Sequence, residues 1–148
     1  MEFVKVHGAG NDFVLLPDPD DQLTLTPTLV RGLCDRHRGL GADGVIRLAP
    51  ARAGTDADVF MDYVNADGSV AEMCGNGVRC VAKYVADRGG PDLVAVDTRA
   101  GVKHVECHRG PDGLVISCRV DMGIPQPGKV DLRLDVEGQE VTVTTLSM

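Results

Sequence analysis

One stretch of this 148-residue chain constrains what the rest can fold into. Between Ala71 and Gly90, Cys74 is followed by Gly75, Asn76 and Gly77, and then by Val78, Val81, Ala82 and Val85 at helical spacing. Cys80 and Tyr84 widen that apolar face, so the spacing predicts a helix buried on most sides. Gly89, Gly90 and Pro91 supply its stop. Cys74 therefore stands at a helix N-terminus, beside unpaired backbone N–H groups and the positive end of the helix dipole. That placement favours a thiolate, able to act as base or nucleophile, and makes a seat for a carboxylate. The competing reading is a small buried hydrophobe, since free cysteine is among the most buried residue types. The Gly-Asn-Gly entry favours the functional one.

Before this helix the pattern alternates strands with one further helix. Residues 2–7 alternate, with Val4 and Val6 on one side, and read as a strand. Gly8, Ala9 and Gly10 turn the chain into Phe13–Leu16, a second strand and a candidate hairpin partner. No helix follows Gly8 and Gly10, and a third glycine is missing, so a nucleotide-binding loop is excluded. Asn11 by itself reads as a turn residue bonding its own backbone. Residues 17–21 read as a solvated acidic loop. Thr26 and Pro27 open a helix as N-cap and first turn. Leu29, Val30, Leu33, Cys34 and His37 give it a core face, with Cys34 in the core, His37 structural and Gly39 its end. Gly41 to Gly44 leads into a strand at 45–48, and 49–57 is a loop. Residues 58–65 form a strand, Asn65 to Gly68 a turn, and 70–73 a short strand returning to Cys74.

After the helix only strands are expected, at 93–98, 101–108 and 114–121. Gly110 to Gly113 turns the last two into a hairpin, with Leu114, Ile116, Cys118 and Val120 facing inward. Cys107 and Cys118 read as core. His104, Glu106 and His108 share one strand face, which is better explained as a solvated polar face than as a metal site. Met122 to Gly128 marks a candidate domain boundary, and 130–136 and 140–146 form a hairpin about Glu137 and Gly138.

Composition excludes several classes. The chain is 43% hydrophobic, enough to bury a core, but has no Trp and 18 Gly, which suits a loop-rich fold built on Val, Leu and Ala. Its formal net charge of −7 argues against nucleic acid or an anionic membrane as partner. The N-terminus shows no signal pattern, and no run approaches the length of a membrane span. Five cysteines at unpatterned spacings then read as reduced thiols of a cytoplasmic protein.

Four segments, in order, resemble the diaminopimelate epimerase family: Lys5 to Phe13, Cys34 to Gly44, Asn65 to Ser69, and Met73 to Cys80. The resemblance runs over the whole chain, but only over the first half of the family's enzyme. It implies an α+β fold, one half of a two-part molecule, in which a curved, barrel-like, mostly antiparallel sheet wraps a central helix. Residues 1–121 would form that half, and residues 122–148 the opening hairpin of the second. It implies inversion at an amino-acid α-carbon without pyridoxal phosphate or metal, so no cofactor is expected. One cysteine thiolate removes the α-proton and a second cysteine delivers one to the opposite face. Cys74 matches the first-half cysteine. Asn11, Asn65, Gly75 and Asn76 match substrate-binding positions, with the Gly75 and Asn76 N–H groups offered to the α-carboxylate. Many members carry a Gln where this chain has Gly44, which bears on substrate identity.

The second-half cysteine has no counterpart here. None of Cys34, Cys80, Cys107 or Cys118 stands in a comparable Cys-Gly motif, and Cys80, well over a turn along the helix, cannot reach the far face of the same carbon. The expected function is half of an epimerase that converts L,L-diaminopimelate to the meso form, in lysine and peptidoglycan-precursor biosynthesis. It would be completed by a second half on another chain or by a homo-oligomer. The alternatives are a racemase half for another amino acid, and a non-catalytic half that binds an amino acid or a protein. A lone half exposes its apolar cleft face and is expected to self-associate or hold a partner.

Overall fold

The computed structural model describes residues 2–124, 126–136 and 139–147. Seven strands form one sheet in chain order: β1 (Val4–Gly8), β2 (Asn11–Pro17), β3 (Gly44–Ala49), β4 (Val59–Asn65), β5 (Leu93–Thr98), β6 (Gly101–Arg109) and β7 (Val115–Val120). Neighbours pair antiparallel except at β2–β3 and β4–β5. Those two parallel pairs are joined by the two helices, α1 (Pro27–Cys34) and α2 (Gly75–Ala86), because parallel strands need a long crossover. The sheet curls round α2, which packs on strands from β1 through β7. A separate antiparallel pair, β8 (Gln126–Val136) and β9 (Gln139–Ser147), follows. The turn expected at Glu137 and Gly138 lies outside the described residues.

The alternation of each strand sorts side chains between the two helices. Phe13, Leu15, Ile46, Leu48, Met61 and Tyr63 face α2 and pack on Val78, Val81, Ala82 and Ala86. Val14, Leu16, Val45 and Val64 face the other way and are covered by Val30 and Cys34 of α1. Burial on both faces is why β2 reads as a continuous apolar run rather than an alternating one. Between β1 and β7, the two edges of the sheet, a groove of about 620 Å³ opens over α2, lined by Val6, Cys80, Tyr84 and Cys118 among others.

Several expectations hold. β1 and β2 form a hairpin whose turn, Ala9 and Gly10, takes positive φ of 52° and 86°. The Thr26 hydroxyl accepts from Leu29 N at 3.2 Å, and α2 ends where Gly90 N bonds Val85 O. His104, Glu106 and His108 are exposed on β6.

Others are corrected. Helix α1 ends at Cys34, not Gly39, because the Asp35 carboxylate accepts from the N–H groups of His37 and Arg38 and starts a new turn. Gly39 serves a close approach instead: a Cβ there would lie 2.1 Å from Gly32 O. The acidic loop is only partly solvated. Asp18 is 4% exposed, accepting from Gln22 N, Leu23 N and Arg47. Residues 70–73 contribute a single bridge, Val70 to Val64, not a strand. Leu114, just before β7, and Ile116 within it are exposed while Val115 faces in. A bulge opposite His108 and Arg109 makes Ile116 an extra residue and flips the alternation, after which Cys118 and Val120 turn inward as expected.

Candidate active site

The site is built where three strands end at one rim of the sheet. Asn11 begins β2, Gly44 begins the parallel β3, and Asn65 ends the antiparallel β4. Gly44 is register partner to both Phe13 and Asn65. The N-terminus of α2 arrives at the same rim, and its first turn lies against β1. A Cβ on Gly8 would sit 2.9 Å from Asn76 O, so only glycine permits that approach.

Cys74 is the N-cap of α2. Its Sγ accepts from Gly77 N at 3.4 Å, and its carbonyl takes the first intrahelical bond, from Val78 N at 2.9 Å. Gly75 and Asn76 are the first two helical residues, so their N–H groups lie beyond the reach of any intrahelical acceptor and are available to an anion. The Asn76 side chain is turned along the helix, its Oδ1 accepting from Arg79.

Asn11 is not a self-bonded turn residue. The Cys74 thiol donates to its Oδ1 at 3.8 Å, and its Nδ2 donates to Asp43 Oδ2 at 2.8 Å. Behind it lies an ionic cluster that the sequence did not announce residue by residue. Arg36 bridges Asp12 and Asp43, at 2.8 Å to each, and Lys5 Nζ sits 2.5 Å from Asp12. Hydrogen bonds from Arg36 and then Lys5 hold the Asp12 carboxyl well below the usual carboxylate range. Asp43 is lowered too, first by Asn11. A carboxyl depressed in the folded state stabilises the fold above its unfolded value, near pH 4, and loses that contribution as pH falls below it. Denaturant titrations between about pH 6 and about pH 3 should show stability falling with acid, and Asp12→Asn should flatten that fall.

Asn65 is held by two side chains. Its Oδ1 accepts from the Tyr63 hydroxyl at 2.7 Å, and its Nδ2 donates to Ser69 Oγ at 3.0 Å, leaving one amide N–H for a ligand. Nothing local in the sequence marks Tyr63 as part of this arrangement. It stacks edge-on to Phe13, and burial, then the nearness of Cys74, pushes its phenol up to about 12, so it stays a donor. It also accounts for Gly44. A Cβ on Gly44 would lie 2.5 Å from Tyr63 Cε2 and 2.8 Å from Val64 O, so the tyrosine ring occupies the space a side chain at position 44 would need.

The structure thus gathers Cys74, Asn11, Gly75 and Asn76 in direct contact or succession, with Asn65 on the same rim through Tyr63. Among the described residues, no three metal-ligating side chains converge and no helix is long and apolar enough to cross a membrane.

Residues 3–127 match the family model described as diaminopimelate epimerase. The chain is 49% identical over 136 residues to the diaminopimelate epimerase of Thermobifida fusca, covering 83% of this chain and 48% of that protein. It is 47% identical over 146 residues to that of Corynebacterium glutamicum, covering 94% and 52%. The chain therefore spans about half the length of the curated relatives it matches. Among solved structures it superposes on a probable proline racemase from Agrobacterium radiobacter K84 with a TM-score of 0.76, at 19% identity over 97% of this chain and 48% of that one. A hydroxyproline epimerase from Agrobacterium vitis gives a TM-score of 0.72 at 18% identity, with the same coverage. Those two share the fold, and they too are matched over about half their length. With the motifs, the rim geometry and the sequence matches in agreement, the chain belongs to the diaminopimelate epimerase family.

Proposed function

We propose that this chain is the N-terminal half of a cofactor-independent epimerase that interconverts L,L- and meso-diaminopimelate, with Cys74 as one of its two proton-transferring bases. The observation that carries the reading is the position of Cys74: an N-cap thiol between the Gly77 N–H and Asn11, next to two free helix N–H groups. The helix end stabilises negative charge on the sulfur, and the thiolate takes the α-proton from one face of the substrate. The N–H groups of Gly75 and Asn76 bind the α-carboxylate, whose charge grows as the carbanion forms. Asn11 and Asn65 present their amides to the substrate from β2 and β4.

Inversion requires the new proton on the opposite face, and no other cysteine of this chain is placed to give it. Cys80 is buried within α2, Cys34 packs under the outer face of the sheet, and Cys107 and Cys118 belong to β6 and β7. The second base is supplied by a second half, which we place across the rim that Cys74 faces. Strands β8 and β9, within residues 122–148, are then the opening strands of that half. Thiol chemistry of this kind needs a reducing compartment, which fits five free cysteines and a cytoplasmic role in lysine biosynthesis.

The test is to complete the chain with the second half of a relative and follow L,L-diaminopimelate by chiral chromatography. Meso product supports the reading. A folded complex that leaves the substrate unchanged overturns it. In the active complex, Tyr63→Phe keeps the ring packing but frees the Asn65 amide to rotate. We expect kcat/KM to fall roughly tenfold, about the worth of one hydrogen bond, with the unfolding midpoint little changed.

A further inference from the structure

We propose that Cys107 and Cys118 form a dithiol–disulfide modification site, separate from Cys74, that small-molecule disulfides oxidise. The two residues are register partners on β6 and β7, and their Sγ atoms lie 3.7 Å apart. Cys107 turns its own N–H away, to Asp92 O at 2.7 Å, so the pair is a non-hydrogen-bonded one. In such pairs facing side chains come closest, and a Cα separation of about 4.5 Å lies within the range a disulfide spans. Rotation about the side-chain bonds is what separates the reduced pair from a bonded one; no strand has to move.

The two sulfurs differ in access. Cys118 lines the groove between β7 and α2, and its thiol donates to Arg79 O on that helix at 3.7 Å. Cys107 lies beneath it, 5% exposed. Cys118 is therefore the entry point. It gives up its proton and its sulfur attacks one sulfur of oxidised glutathione. The glutathione S–S bond breaks, and one glutathione leaves as a thiolate and takes a proton. Cys107 then loses its proton and attacks Cys118 Sγ, releasing the second glutathione. Two protein thiols are oxidised and one glutathione disulfide is reduced to two thiols. Burial, then Cys118 itself, pushes the Cys107 thiol up to about 12, so the second step is slow at neutral pH and quickens as pH rises. The product ties the last two strands together and gives up the Cys118 contact with the α2 backbone.

The folded chain would be treated with oxidised glutathione at about pH 8, where thiolates begin to form. Free thiols would then be capped with N-ethylmaleimide and the protein cut with trypsin. Cleavage after Arg109 separates the two cysteines, so the expected product is peptide 104–109 joined to peptide 110–119, lighter by two hydrogens and reversed by dithiothreitol. Cys74→Ser should form the same link, and Cys118→Ser should form none and leave Cys107 free to be capped. Glutathione persisting on Cys118, a bond from Cys118 to any other cysteine, or both thiols remaining free would each overturn the proposal.

Discussion

Cys74→Ser, in a complex completed by a second half, should lower kcat by roughly 10² to 10⁴-fold while leaving the unfolding midpoint unchanged or slightly raised. The two readouts separate because the proposed mechanism gives Cys74 a second job beside its place as N-cap. As N-cap it accepts from Gly77 N, and a serine hydroxyl does that at least as well. As the proposed base it acts through a thiolate, a role that a serine hydroxyl does not fill. Circular dichroism melts and the diaminopimelate assay on one preparation measure both. Equal loss of stability and turnover would make Cys74 a structural residue. Turnover close to wild type would remove it from the mechanism.

The largest expected effect on stability lies away from the site. Arg47→Leu should cost about 3–5 kcal/mol, a drop in Tm of roughly 10 °C. The Arg47 side chain is 12% exposed and reaches three carboxylates: Asp18 at 3.0 Å, Asp21 at 2.5 Å and Asp62 at 3.4 Å. Its Nε contact with Asp62 is an ion pair without hydrogen-bond geometry, so the Asp18 and Asp21 bonds carry the arrangement. Asp62 keeps Arg99 at 2.7 Å when Arg47 is lost, but Asp18, 5% exposed at its side chain, keeps only two backbone N–H donors. Removing one partner of a buried pair leaves its charge stranded, which costs more than the pair contributed. Asp18→Asn should therefore cost less in the Arg47→Leu background than in the wild type, and thermal melts of the four proteins check that coupling.

What the sequence made legible was local. The α2 N-terminus was announced by a cysteine, two glycines and an apolar period within one stretch. The β1–β2 hairpin followed from a turn composition that Ala9 and Gly10 complete with positive φ. Cys74, Gly75 and Asn76 came with the helix, and Asn11 and Asn65 came with family motifs. What stayed hidden depends on pairs far apart in the chain. Asp18 sits in a run of acidic residues, and nothing nearby tells that Arg47 will draw it inward. Tyr63 reads as one aromatic among strand residues, and its role emerges only when β3–β4 register sets it against Gly44, 19 positions away, and beside Asn65. The bulge at Ile116 defeats simple alternation because one extra residue puts the faces before it out of phase with those after it. The end of α1 is not legible because the helical spacing continues to His37 while the Asp35 side chain has already taken the next N–H groups.

The central claim is that Cys74 supplies one of two bases and that the other comes from a second half. Proton NMR of L,L-diaminopimelate in deuterated, reducing buffer tests it most directly, following α-proton loss and chirality together. With the chain alone, the account predicts no inversion. With the second half added, deuterium should enter at the inverted α-carbon as the meso form appears, and Cys74→Ser should stop it. Inversion with exchange by the chain alone would place both bases within these residues and contradict the account.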